Sequence, residues 1–246
     1  MSLTVLPRIE RLDLATVELP ANHPAAELGR SVAVHGFVID HPDGVILVDT
    51  GVGFGNAFID ELYQPSRAEL AGLLAGVGIG MDDVVAVVNS HLHFDHCGQN
   101  PALFGSVTAF YAQAAEIDAV ESDPFYTDAA WALAPADQRR AIRGDEQIAD
   151  GVTILATPGH TAGHQSVLVE AAGRRVVIGA QVVWHADELA NEIASRANVD
   201  PIPELQTAAV ESIRRLKALA PEIVHLSHCA AYVPLGRAGD QEPTPR

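Results

Sequence analysis

Cysteine is nearly missing from this chain of 246 residues: Cys97 and Cys229 are the two it has. Two are too few for a disulfide framework, and the count fits a reducing cytoplasm. Long apolar runs are missing too. None approaches the roughly 20 residues that span a bilayer, and the first residues lack a basic segment followed by an apolar one, so no signal peptide is read there. Positive charge is scarce: Lys and Arg number 15 against 32 Asp and Glu, a formal charge of −17. Nucleic-acid binding needs clustered Lys and Arg on phosphates, so the balance argues against it, and equally against docking on an anionic membrane surface. Tandem repeats, low-complexity tracts and Gly/Ser linkers are absent. What remains, 48% hydrophobic and 19% charged residues, is a globular composition.

The order of apolar runs predicts an α/β chain. Runs over 32–39 and 45–48 flank His41-Pro42-Asp43-Gly44, a hairpin with Asp-Gly at its turn, and Asp49-Thr50-Gly51 closes the second strand. Leu70, Leu73 and Leu74 predict a helix over 66–76. The apolar, mostly β-branched run 84–88 reads as a strand buried on both faces. The middle reads as helical over 112–120 and 135–142. Strands are predicted over 152–156, 166–170, 175–178 and 223–226, with a helix from Asp200, Pro201 and Pro203 to about Ala220. With no break in composition, one domain is expected over 1–235, followed by a polar, mobile tail over 236–246.

Histidine is what the chain has in excess. Seven of the eleven fall in three short segments. The densest is Ser90-His91-Leu92-His93-Phe94-Asp95-His96-Cys97-Gly98, directly after the buried strand 84–88. Imidazole nitrogen and carboxylate oxygen are ligands zinc accepts, and no helical face presents positions 91, 93, 95 and 96 together, whereas a loop can. Leu92 and Phe94 supply apolar anchors that pull such a loop inward. The second segment, Thr157-Pro158-Gly159-His160 through His164 to Ser166, also follows a predicted strand, and the Pro-Gly turn aims His160 into a cleft. For His164 a ligand role and a hydrogen-bonding role stand side by side. In the third, His228 lies beyond the last strand while His225 falls inside it and reads as a core histidine. His23, His35 and His41 lie away from any cluster and read as incidental; His185 reads as an exposed loop residue. Cys97 and Cys229, each next to a candidate ligand, read as small wall residues.

His91-x-His93-x-Asp95-His96, with Asp49-Thr50-Gly51 upstream and Pro158-Gly159-His160-Thr161 downstream, resembles the metallo-β-lactamase superfamily over about 32–228, and within it the acyl-homoserine-lactone lactonases most. The resemblance implies a four-layer αββα sandwich with a dinuclear metal site at its edge. His91, His93 and His160 would hold the first metal, Asp95, His96 and His228 the second, and Asp49 would hydrogen-bond the ligand loop. The metal is expected to be zinc, with iron or manganese as alternatives, in one or two ions. The chain departs from the family where a bridging aspartate is normal: Gln181 is expected there, or Ala180 if the strand register slips by one, with Asp187 too far along to replace it. Two divalent ions with Asp95 and a hydroxide then carry +2 rather than +1, and an amide cannot bridge as a carboxylate does. The second site is therefore expected to be weaker or to hold a different metal.

The implied reaction is hydrolysis of an ester or lactone by metal-activated water, whose pKa falls to about 7, with Asp95, or a metal-bound water, passing a proton to the leaving alkoxide. The tyrosine that lactonases place against the substrate carbonyl is Trp184 here, which can donate a hydrogen bond but not exchange a proton. Two alternatives stand beside this reading: a thioesterase of the hydroxyacylglutathione hydrolase type, and a metal-binding non-enzyme. The substrate is expected to be a small molecule; Phe125, Tyr126 and Trp131 would form either a lid over it or a contact between two copies in a homodimer.

Overall fold

Strand β1 (Arg8–Glu18) owes its form to alternation, with Leu12, Leu14 and Val17 buried while Arg11, Asp13 and Thr16 face water. The computed structural model describes residues 3–195 and 203–232. β1 pairs with β2 (Ser31–His41), which turns at the predicted Asp-Gly hairpin into β3 (Gly44–Val48). Helix α1 (Ala57–Tyr63), the short β4 (Ser66–Arg67) and helix α2 (Leu70–Gly76) precede β5 (Val84–Val88), which lies parallel to β3. Next come α3 (Phe94–Cys97), β6 (Ala109–Gln113), α4 (Ala114–Ser122), α5 (Ala129–Ala132) and β7 (Arg139–Ile142). The remainder is β8 (Glu146–Ala149), β9 (Val152–Ala156), β10 (Gln165–Ala171), β11 (Arg174–Ala180), α6 (Ala186–Asn191), α7 (Pro203–Ala218) and β12 (Ile223–Leu226).

Among the described residues the strands form two sheets, ordered β4-β1-β2-β3-β5-β6-β7 and β12-β11-β10-β9-β8. Three apolar cores separate four layers. Phe37, Ile39, Val48 and Val88 of the first sheet meet Ile154, Val167, Val169 and Ile178 of the second. On the outer face of the first sheet, Leu47 and Val87 pack with Leu70, Leu74 and Ile117 of the helices. On the outer face of the second, Leu168 and Val177 pack with Ile213 and Leu216 of α7. The period-2 alternation, Val167 and Val169 inward with Leu168 outward, sends each strand's side chains to two different cores. This is the αββα sandwich.

Three expectations need correction. The helix over 135–142 is instead a loop and β7, because backbone pairing with β6 at the sheet edge outweighs local helical preference. Buried Gln138 fixes that loop by donating to the carbonyls of Leu103, Ser106 and Thr108. The helix expected from 112 begins at Ala114, residues 112 and 113 belonging to β6, and the one expected from 66 begins at Leu70, Ser66 and Arg67 pairing with β1. The tail 236–246 and the helix start at Asp200 and Pro201 lie outside the described residues.

Candidate metal centre

The histidine segments converge because their strands end along one edge of the sandwich. The segment after β5 is drawn down by Leu92, fully buried in the core on the outer face of the first sheet, and short α3 starts directly after His93. Gln165 stitches the two sheets beside it: its backbone N–H donates to Ser90 O at 2.8 Å and its side-chain amide to Asn89 O at 2.8 Å. His160 arrives from the turn after β9, Gln181 from the end of β11, and His228 from beyond β12.

Two groups of donors result, each with its ligand atoms within 4.8 Å of one another: His91, His93 and His160, and Asp95, His96 and His228. In the first, His91 Nε2, His93 Nδ1 and His160 Nε2 make a triangle with sides of 3.0, 3.1 and 3.1 Å. Three ring nitrogens cannot satisfy one another, since each proton serves one side and facing lone pairs repel. A cation removes the conflict. Burial, reinforced by His96, His93 and His160, pushes the His91 pKa well below its ordinary value, so its lone pair is available.

In the second group Asp95 Oδ2 lies 3.5 Å from His96 Nε2 and 3.7 Å from His228 Nε2. Gln181 Oε1 sits 3.0 Å from both nitrogens. The far side of each ring is fixed. His96 Nδ1 donates to Asp49 Oδ2 at 2.8 Å, and His228 Nδ1 donates to Ala33 O at 2.8 Å, which turns each Nε2 toward the centre. Asp49, backbone φ 64°, also accepts from Ser90 N at 2.7 Å and Ser90 Oγ at 2.8 Å, so it hydrogen-bonds the ligand loop. Burial lowers the His96 pKa, but Asp95 and Asp49 outweigh it and hold it up at about 9; burial takes His228 down to about 4. The site draws positive charge, and both donor sets fit a divalent cation.

The trios lie at a cavity of about 810 Å³ whose wall includes Phe58, Tyr63, Phe94, Phe125 and Trp184. Trp184 stacks on His228, ring centroids 4.6 Å apart and planes at 27°. His23, read as incidental, also lines the cavity, with its ring 6.5 Å from Trp184 and its Nδ1 accepting the Ala25 N–H. A segment near the amino terminus folding over a site built from 49–228 leaves no local signal. His164 joins neither trio; its Nδ1 lies 3.0 Å from Thr157 O, the hydrogen-bonding role of the two foreseen. His35 and His41 hold Asp13 and the Asp43 turn. His185 is half-buried at the start of α6 rather than exposed. Neither thiol joins a trio, and Cys97 donates to the carbonyls of Leu92 and His93. Trp131 is core, Tyr126 lines the cavity, and Phe125 is 92% exposed. Glu116 carries no signal in the sequence that sets it apart from Asp118 and Glu121 of the same helix.

The chain is similar to known proteins in sequence and in fold. An N-acyl homoserine lactonase of Bacillus sp. is 31% identical over 194 residues, covering 74% of each chain. The N-acyl homoserine lactonase AiiA of Bacillus thuringiensis subsp. kurstaki is 31% identical over 193 residues, again 74% of each. The crystal structure of a quorum-quenching N-acyl homoserine lactone hydrolase superposes with a TM-score of 0.74 at 25% identity, covering 93% of this chain and 94% of that one. The profile of the metallo-beta-lactamase superfamily matches residues 30–228. That span contains every strand end that delivers a donor to the two trios, and the chain is a hydrolase belonging to the metallo-β-lactamase superfamily.

Proposed function

We propose that this protein opens the lactone ring of N-acyl homoserine lactones, a quorum-quenching activity, with zinc as its metal. The observation that carries the reading is the pair of donor trios meeting at a cavity of about 810 Å³, within the range of small-molecule sites. The names of the relatives supply the substrate class. His91, His93 and His160 would hold one ion and Asp95, His96 and His228 the other, with Gln181 a weak neutral donor to the second. When bound, a divalent metal lowers the pKa of water to about 7 and polarises a carbonyl.

The remaining steps belong to the chain. Asp95 stays ionised beside the reacting centre: burial raises its pKa, but His96, His228 and His93 outweigh it and lower it. Ionised Asp95 accepts a proton from the attacking water and returns it to the leaving alkoxide. Trp184, at the place of the lactonase tyrosine, offers its indole N–H to the substrate and covers His228 from solvent. The apolar wall of Phe58, Phe94 and Phe125 takes the acyl chain. We read residues 1–235 as one hydrolase domain, and a cytoplasmic location from its two unpaired cysteines. Among the described residues no helix is long and apolar enough to cross a membrane.

The test is turnover by protein reloaded with zinc, manganese or iron, offered N-acyl homoserine lactones, S-lactoylglutathione and nitrophenyl esters. Acid release from the lactones with at least one metal is expected. Turnover of the thioester alone would replace the reading with a thioesterase, and silence on all three would leave a metal-binding protein without this activity.

A further inference from the structure

Glu116, in the first turn of α4, is 1% exposed and has no place in the chemistry above. Its two carboxylate oxygens accept four hydrogen bonds. Oε1 takes Thr161 Oγ1 at 2.5 Å and Gly163 N at 3.0 Å; Oε2 takes Leu92 N at 2.9 Å and Tyr126 O–H at 2.7 Å. These donors come from three separate segments. Leu92 lies between His91 and His93. Thr161 and Gly163 follow His160. Tyr126 belongs to the cavity wall and sets its ring 4.9 Å from that of His93. A Cβ at position 163 would come within 2.8 Å of Glu116 N and of its Oε1, so glycine there permits the approach. With four donors in place the carboxylate has no geometry left for substrate.

We propose that Glu116 is a positioning residue for the first metal: it locks the His91/His93 loop to the His160 loop and places a buried negative charge beside a trio that contains no acid. The inference rests on the metal-hydrolase reading. Three neutral imidazoles offer a divalent ion no charge compensation, and Gln181 provides none either. A buried carboxylate in contact with both loops supplies it, while its bidentate reach fixes the separation of the three nitrogens. An amide in its place would turn N–H groups toward at least one pair of the four donors and release one of the two loops.

The experiment is a Co²⁺ titration followed by visible absorption, on the parent chain, Glu116→Gln and His228→Ala. His228→Ala dismantles the second trio, so the binding step it retains is the first trio's. In Glu116→Gln that step should weaken about 10- to 100-fold, as loss of an outer partner of metal ligands typically does, with the other step unchanged. Equal affinity in parent and variant overturns the proposal, and so does equal weakening of both steps, which marks general damage to the fold. If Glu116→Gln does not fold, Thr161→Val removes one donor and keeps the carboxylate; it should weaken the same step by about threefold or more, and an unchanged step overturns the proposal. A parent chain that takes up no Co²⁺ overturns the metal-hydrolase reading itself.

Discussion

An amide at position 181 sets the charge of the whole centre. Gln181 Oε1 lies 3.0 Å from both His96 Nε2 and His228 Nε2, so it reaches the second trio as a neutral donor. Replacing it by a carboxylate adds one negative charge where two divalent ions repel. Gln181→Asp should therefore tighten the second ion by at least about tenfold, roughly 1.4 kcal/mol. Elemental analysis after dialysis against a chelator should find one ion per chain in the parent and two in the variant. Two tightly held ions in the parent would contradict this. The donor cluster is legible in the sequence because His and Asp at positions 91, 93, 95 and 96 crowd into a spacing that only a folded loop can use. Glu116 is not legible, since its partners are largely backbone groups and hydroxyls brought from 92, 126, 161 and 163, and nothing in its neighbours announces them.

Between elements, the ligand loop is held by how closely two backbones approach. Gly98 N donates to Gly51 O at 2.7 Å, and a Cβ at position 98 would strike Gly53 N and come within 2.6 Å of Gly51 O. Backbone on both sides cannot yield as a side-chain tip can. Gly98→Ala should cost about 1–3 kcal/mol by overpacking, whereas Gly72→Ala, in α2 with nothing within 4 Å of its Cβ, should gain about 0.5–1 kcal/mol from helix propensity. Urea denaturation of the two variants checks the pair, and a Gly98→Ala as stable as the parent would show that the two loops are not in fixed contact. Element types follow the same division between local and distant causes. The hairpin around Asp43-Gly44 and the buried β5 were readable because turn chemistry and β-branched runs act locally. β1 was not read, since its charged outer face interrupts the apolar pattern, and β7 was misread because edge pairing with β6 decides it.

The metal-free molecule carries its ionisation chemistry in its interior, and this governs its stability against pH. His91, His228 and His164 are buried with depressed pKa values, His228 at about 4 and His164 at about 3, chiefly from burial. Above pH 6.5 these rings are neutral folded or unfolded and contribute nothing. As pH falls below 6.5 the unfolded chain takes up protons that the folded chain refuses, each group removing about 1.4 kcal/mol per pH unit until its folded pKa is reached. His96 acts in the opposite sense. Its pKa of about 9 gives stability that is fully present below 6.5 and lost as pH rises from 6.5 to 9. The metal-free protein should thus melt highest near pH 6.5 and fall away on both sides, while saturating Zn²⁺ should raise the alkaline limb, because the ion takes the place of the His96 proton. Surface charge pulls the other way on the acid side, since the formal −17 shrinks as pH nears the isoelectric point of about 4.8. Those charges are spread over the surface and screened within about 10 Å at 0.1 M salt, whereas burial makes all three interior histidines resist protonation in the folded chain. The interior should win. Melting temperatures measured from pH 4.5 to 9 in 0.1 M salt decide it: a value that keeps rising from pH 6.5 toward 4.8 would mean that relief of surface repulsion outweighs the buried rings.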